Sequence, residues 1–167
     1  MACKVISHRG ANRRAPQNTI PAFEHSIKIG VDGFETDIHL TKDGVPVVCH
    51  NYTIDETSTG QGEIRTMTLE ELRKYDFGSY FSDEFKGTTL PTLEEFLALC
   101  ETADIESMNI ESKPPLDGNM EIVKKTIDAV KAHGLFDRLL ISSFDANVLV
   151  ECKKVDSKCK TGYIYCP

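Results

Sequence analysis

The sequence predicts an α/β fold in a single domain, built around a mostly parallel sheet. Short β-like runs alternate with segments in which apolar residues recur every three or four positions. No low-complexity segment or change in composition divides the 167 residues, which suffice for one domain with a sizeable core. Strands that alternate with helices indicate βαβ units, and such units place their strands in parallel.

The first strand is predicted at residues 4–8, where an apolar run ends at a histidine. A helix capped by Asn18 follows, because apolar residues then recur at intervals of three and four as far as Gly30. Residues 33–40 form the second predicted strand. A Lys-Asp-Gly turn signal then sends the chain back through a strand at residues 45–49.

The later part of the chain repeats the alternation of strand and helix. Residues 51–66 are rich in loop-forming residues, and capping-box patterns predict that helices begin after Thr68 and Thr92. The remaining predicted elements are strands at residues 108–113, 139–143 and 162–166 and helices at residues 119–133 and 145–154. This pattern fits both an open α/β sheet and the first five strands of a (β/α)8 barrel.

Composition excludes several classes of function. A formal net charge of −7 argues against tracking a nucleic-acid backbone or docking on anionic lipid, although a local site can still bind an anionic small molecule. No apolar stretch is long enough for a signal peptide or for stable insertion in a membrane. Six cysteines without CxxC spacing are typical of reduced core residues, so we expect a cytoplasmic location. The oligomeric state stays open.

Acidic residues occupy one face of the second predicted strand. Alternation places Glu35 and Asp37 on the same face, where they repel each other unless a cation lies between them or one is protonated. Glu111 takes the same position in the third parallel strand. Three such carboxylates predict a site for one hard divalent cation, Mg²⁺ or Ca²⁺, rather than zinc. The alternative is the solvated face of an edge strand.

Two histidines and two cations accompany these acids at the ends of strands. His8 and His50 can form an acid–base pair for proton transfer, or each can be a hydrogen-bonded structural residue. Arg9 and Lys113 supply positive charge for an anionic group, and the planar fork of Arg9 suits phosphate. The carboxyl ends of parallel strands are where open sheets and barrels place their sites.

Three stretches that contain these residues resemble the glycerophosphodiester phosphodiesterase family in order and spacing: HRGANRRAPQNTIPAF, GFETDIHLTKDGVPVVCHN and IESK. The resemblance implies a TIM (β/α)8 barrel with a small insertion after strand 2, covering much of residues 51–90. It also implies that residues 1–167 form a single phosphodiesterase barrel domain, incomplete at the C-terminus because the last strands are missing from this chain.

The resemblance further implies metal-dependent hydrolysis of glycerophosphodiesters to glycerol 3-phosphate and an alcohol, with one divalent cation. Carried over by position, it assigns acid–base catalysis to His8 and His50, metal binding to Glu35, Asp37 and Glu111, and phosphate binding to Arg9 and Lys113.

The chain departs from the family pattern at two positions next to these residues. Gln17 stands where glutamate is usual, and Asn51 stands where aspartate usually follows the second histidine. Each change keeps an acceptor oxygen and loses a charge. These changes support one alternative, a weak or inactive homologue that binds polyol phosphates. A separate alternative is a lyase that stops at a cyclic phosphate.

Overall fold

The computed structural model describes residues 3–165, which form a six-stranded sheet covered by helices. The strands are β1 (Ile6–His8), β2 (Gly33–Leu40), β3 (Pro46–Val48), β4 (Ser107–Ser112), β5 (Leu139–Ser143) and β6 (Lys160–Tyr163). The helices are α1 (Ile20–Lys28), α2 (Leu69–Leu72), α3 (Leu93–Thr102), α4 (Glu121–Ala132) and α5 (Ala146–Val155).

The sheet confirms the predicted α/β class. Its order is β1-β2-β4-β5-β6 with every neighbouring pair parallel, while β3 runs antiparallel to β2. Over residues 3–165, β1 and β6 each have one neighbour, so the sheet is not closed into a barrel. The last strand begins two residues earlier than predicted, and Cys166 lies outside the described residues.

The start of α1 differs from the prediction. Thr19, not Asn18, is the N-cap, and its side chain makes no capping hydrogen bond. Asn18 has a left-handed backbone with φ of 56°, whereas an N-cap residue is normally extended. The Asn18 side chain binds a carboxylate of β2 instead.

Both predicted capping boxes are present. In α3, Thr92 Oγ1 accepts from Glu95 N at 3.2 Å, and Thr92 N donates to Glu95 Oε2 at 2.8 Å. Thr68 and Glu71 make the same exchange at the start of α2. Each box satisfies two backbone donors that the first turn of a helix leaves free.

The main core lies between the sheet and the helices. Phe23, Phe34 and Phe96 are fully buried in it, with ring centroids 4.7 to 6.0 Å apart. Phe34 and Ile38 come from one face of β2, so that face packs on the helices. The opposite face, with Glu35 and Asp37, is thereby left for polar chemistry.

A second apolar cluster joins the segment after β3 to the sheet. It contains Val47 and Cys49 from the hairpin and five buried residues from the following segment, Ile54, Ile64, Leu72, Phe77 and Leu90. This cluster holds residues 51–90 against β3 at the edge where the polar face of β2 ends.

Four of the five described cysteines are buried thiols, as expected of small core residues, and Cys3 is exposed. Within residues 3–165, no helix combines the length and the apolar character needed to cross a membrane.

His133 links α3 to α4 at the surface of the helical layer. Its Nδ1 lies 2.7 Å from Glu101 Oε1 and its Nε2 lies 2.7 Å from Glu94 Oε2. These two hydrogen-bonded carboxylates favour the charged ring and raise the pKa of His133.

Candidate active site

Strand register brings the polar residues to one level. β4 pairs with residues 33–38 of β2, so β1 and β3 share the opposite edge of that strand. In register, His8 lies beside Glu35, and Asp37 lies beside Glu111. Because β3 runs antiparallel, the chain returns until Cys49 N donates to Asp37 O at 3.0 Å, which brings His50 back to the same end of the sheet.

The three predicted carboxylates meet. Glu35, Asp37 and Glu111 each offer one oxygen, and these oxygens lie within 4.8 Å of one another. Burial, together with the charges of Asp37 and Glu111, raises the pKa of Glu35 to about 7. Burial also raises the pKa of Glu111. The raised pKa values mean that negative charge on these clustered carboxylates is unfavourable without a counter-charge. Three hard oxygen donors in this state fit a divalent cation such as Mg²⁺ or Ca²⁺.

Lys113 lies among these acids. Its Nζ is 2.5 Å from Glu111 Oε1 and 2.8 Å from Asp37 Oδ1, and its side chain is 8% exposed. The contact with Asp37 is an ion pair outside hydrogen-bond geometry, so Oδ1 is left as a buried oxygen without a hydrogen-bond donor. Burial works to raise the pKa of Asp37, but the Lys113 ammonium and the hydrogen bond from Asn18 hold it below its usual value.

Asn18 is a site residue that the sequence pattern assigned only to capping. Its Nδ2 donates to Asp37 Oδ2 at 2.9 Å, and its Oδ1 accepts from Thr36 Oγ1 at 2.9 Å. The left-handed backbone of Asn18 is one that asparagine adopts more readily than other non-glycine residues. An asparagine in a turn before a helix can either cap the helix or hydrogen-bond to a carboxylate of the site, and the sequence pattern fits both roles.

Arg9 also has a left-handed backbone, with φ of 59°. Its Nε lies 3.5 Å from Asp37 Oδ2, and its Nη1 donates to Gln17 Oε1 at 2.9 Å. Gln17 therefore uses its acceptor oxygen to orient the guanidinium.

His8 stands at the open side of the cluster. Its side chain is 62% exposed, and its Nε2 lies 3.6 Å from Glu35 Oε2. Partial burial and the neighbouring Arg9 guanidinium lower the pKa of His8. The ring is thus accessible to a small molecule that approaches the acids.

His50 is held from two directions. Its Nδ1 lies 2.6 Å from Asn51 Oδ1, and Asn51 Nδ2 donates to Glu56 Oε2 at 2.9 Å. Behind it, His39 Nε2 lies 3.2 Å from His50 O. Burial lowers the pKa of His39 to about 4, so this ring is neutral and donates to that carbonyl.

An open cavity of about 550 Å³ adjoins these groups. It is lined by His50, Asn51, Tyr52, Thr53, Glu56, Glu111, Lys113, Pro114 and Phe144. Its wall combines polar groups from the sheet with two aromatic rings, which is a usual composition for a small-molecule site. The contributions of Tyr52, Glu56 and Phe144 were not foreseen from the sequence, because each follows a strand at a spacing that no motif marks.

Comparisons with known proteins point to one family. Residues 8–165 match the model of the glycerophosphoryl diester phosphodiesterase family. A glycerophosphodiester phosphodiesterase of Caldanaerobacter subterraneus subsp. tengcongensis is 40% identical over 99% of this chain and 68% of that protein. A protein of the same name from Bacillus altitudinis is 36% identical over 84% of this chain and 58% of that protein.

Solved structures agree with the sequence comparison. A phosphodiesterase of Oleispira antarctica in complex with the product sn-glycerol-3-phosphate superposes with a TM-score of 0.89 at 32% identity, over 96% of this chain and 65% of that one. The glycerophosphodiester phosphodiesterase of Agrobacterium tumefaciens gives a TM-score of 0.87 at 29% identity, over 96% of this chain and 66% of that one. The chain thus spans slightly less than two thirds of these structures.

Proposed function

Since the chain belongs to the glycerophosphoryl diester phosphodiesterase family, we propose that it hydrolyses glycerophosphodiesters to glycerol 3-phosphate and an alcohol. The observation that carries the proposal is the meeting of three carboxylates, two buried and one partly buried, near His8 at the end of β1 and His50 just after β3. The sn-glycerol-3-phosphate bound as product to the Oleispira antarctica phosphodiesterase is consistent with this substrate class.

Glu35, Asp37 and Glu111 are the proposed ligands of one divalent cation, Mg²⁺ or Ca²⁺. The raised pKa values of Glu35 and Glu111 support this assignment, because a cation between the carboxylates would favour their charged forms. When bound, the ion supplies positive charge against the charge that develops on the phosphate oxygens.

Arg9 and Lys113 are the proposed phosphate-binding groups. Gln17 holds the guanidinium of Arg9 from one side, which leaves its remaining donors for an anion. Lys113 pairs with Asp37 and Glu111 and also lines the cavity, which supports contact between this residue and a bound anion.

His8 and His50 are the proposed acid–base pair. One ring accepts a proton from the attacking oxygen, and the other donates a proton to the leaving alkoxide. The attacking oxygen belongs to water or to a hydroxyl of the substrate glycerol. In the second case a cyclic phosphate forms first and water then opens it.

We also propose that the sheet is an arc of a (β/α)8 barrel, with residues 51–90 as an insertion. Five parallel strands in sequential order, each pair joined through a helix or a helical segment, support the barrel. The separate apolar cluster of the 51–90 segment supports the insertion.

Phosphorus NMR of glycerophosphocholine incubated with the purified protein tests the reaction, with Mg²⁺ and Ca²⁺ in parallel. We expect glycerol 3-phosphate as the product. We further expect His8→Ala and His50→Ala to lower kcat by about 10²- to 10⁴-fold, the usual contribution of a positioned acid or base. His25→Ala, in the last turn of α1, serves as the control.

Each other outcome has a distinct meaning. Accumulation of a cyclic phosphate would replace hydrolysis by the lyase reaction. Binding of the ester with either metal but without release of alcohol would identify a binding protein. Full turnover in a histidine variant would remove that histidine from the acid–base pair.

A further inference from the structure

Glu56 is an exposed carboxylate that no family motif marks, yet it ends a chain of hydrogen bonds that begins at His50. We propose that Glu56 is a positioning residue: through Asn51 it places the proton of His50 on Nδ1, and so makes Nε2 the base that accepts a proton from the attacking oxygen. The catalytic part of this proposal rests on the proposed function, whereas the position of the proton does not.

The two ends of the Asn51 amide have different partners. Glu56 Oε2 lies 2.9 Å from Asn51 Nδ2, and a carboxylate oxygen accepts, so it selects the NH₂ end. The carbonyl end is then turned toward His50, with Asn51 Oδ1 2.6 Å from Nδ1. Since Oδ1 carries no hydrogen, Nδ1 must donate.

The consequence lies at the other ring nitrogen. A neutral imidazole with its proton on Nδ1 has a lone pair on Nε2. Among residues 3–165, no protein group hydrogen-bonds to His50 Nε2, and the ring lines the open cavity. When His50 is neutral, the structure therefore holds it as the tautomer that can accept a proton at Nε2, although free imidazole rings can carry the proton on either nitrogen.

The position of Glu56 is set by its neighbours in the chain. Ile54 is fully buried and Thr57 is 7% exposed, so the short turn that carries Glu56 is anchored on both sides. Ile54 N donates to Gly62 O and Thr57 N donates to Ile54 O. The exposed carboxylate of Glu56 is thus held near Asn51 because the residues on either side of it, Ile54 and Thr57, are buried.

This arrangement also accounts for the departure at position 51. A carboxylate next to His50 would by itself accept a hydrogen bond from Nδ1 and supply a negative charge close to the ring. Asn51 supplies only the acceptor oxygen, and its amide could equally turn its NH₂ toward the ring. Glu56 removes that second orientation, since the NH₂ group is already bound to it.

The test reads the proton position directly, by long-range ¹H–¹⁵N NMR of the full chain labelled with ¹⁵N-histidine. His50 is assigned by its loss in His50→Gln. At pH 8 we expect a protonated Nδ1 and an unprotonated Nε2 in the parent protein. In Glu56→Leu we expect the proton to redistribute to Nε2, and in Glu56→Gln, which keeps an acceptor for Asn51, we expect it to stay on Nδ1.

A double variant supplies the rescue. Asn51→Asp in the Glu56→Leu background places a carboxylate against Nδ1, so the parent pattern should return. Glu63→Leu is the matched control, because Glu63 lies in the same segment and pairs with Arg65. In turnover assays Glu56→Leu should lower kcat by about tenfold with little change in KM, and the double variant should recover it.

A proton on Nε2 in the parent protein, or one that stays on Nδ1 in Glu56→Leu, would overturn the proposal. So would a proton that moves while kcat stays unchanged. If the parent protein does not cleave glycerophosphodiesters, the proposed function fails, and the NMR result still decides whether Glu56 sets the proton of His50.

Discussion

Replacing Lys113 with methionine removes the ammonium that lies between two buried carboxylates. Lys113 Nζ is 2.5 Å from Glu111 Oε1 and 2.8 Å from Asp37 Oδ1, and the three side chains are 8%, 8% and 1% exposed. Methionine keeps the length and apolar stem of lysine, so the change removes charge with little change in packing.

The magnitude follows from the burial of the partners. Removing one member of a buried ion pair costs about 3–5 kcal/mol, because the remaining charge is left without compensation. Both carboxylates lose the ammonium here. Asp37 keeps Asn18 and Arg9 as partners and Glu111 borders the open cavity, so the expected cost lies near the lower bound, about 3 kcal/mol. For a chain of this length each kcal/mol shifts Tm by roughly 2–4 °C, so we expect a fall of about 6–12 °C.

The assay is thermal unfolding followed by circular dichroism, first with a chelator and then with Mg²⁺ or Ca²⁺. A metal at 100 times its Kd stabilises by about 2.7 kcal/mol. The gain should be larger in the methionine variant, since the ion then replaces the missing ammonium as well. Lys125→Met is the control, because Lys125 pairs with the exposed Glu121 and should cost about 1 kcal/mol or less.

Two results would refute this reasoning. One is a Lys113→Met variant whose Tm equals that of the Lys125→Met control. The other is a metal-dependent gain in Tm that is smaller in Lys113→Met than in the parent protein, which would mean that the ammonium and the ion do not serve the same carboxylates.

Three further predictions concern the scaffold. Phe96→Ala should lower the free energy of unfolding in urea by about 3–5 kcal/mol, because the ring is fully buried. The pKa of His133 is raised in the folded state, so the charged ring stabilises the fold fully below the unfolded pKa, and this stabilisation is lost as pH rises through the folded pKa. The Tm of the parent protein should therefore exceed that of His133→Gln by more at pH 6 than at pH 9. Gly10→Ala should lower Tm more than Gly118→Ala, since both have positive φ but only at Gly10 would the new Cβ lie 2.7 Å from Ala22 Cβ; equal shifts would contradict this.

Much of the site could be predicted from local pattern. The alternation in β2 places Glu35 and Asp37 on one face because the strand geometry repeats every two residues, whatever the strand packs against. The capping boxes at Thr68 and Thr92 also depend only on residues close together in the chain, since each closes within one helical turn.

Other features depend on residues that are distant in the chain. Asn18 was predicted to cap α1, but its amide binds Asp37, 19 residues away. Lys113 was predicted to contact phosphate, and the structure places its Nζ against Asp37 and Glu111. Phosphate contact by Lys113 stays a prediction, because the contact between Lys113 and Asp37 joins residues that are distant in the chain.

By itself, then, the sequence determined which residue types share a face and roughly where each strand lies, because those properties follow from backbone geometry within a few residues; the last strand, predicted at residues 162–166, spans Lys160–Tyr163. Only the tertiary structure decided that these ends coincide: the parallel register sets His8 beside Glu35 and Asp37 beside Glu111, and the antiparallel hairpin returns His50 to their level. Register between strands is set by how Phe34, Ile38 and their neighbours pack beneath the helices. Strand packing of that kind is a property of the whole core, which no short motif contains.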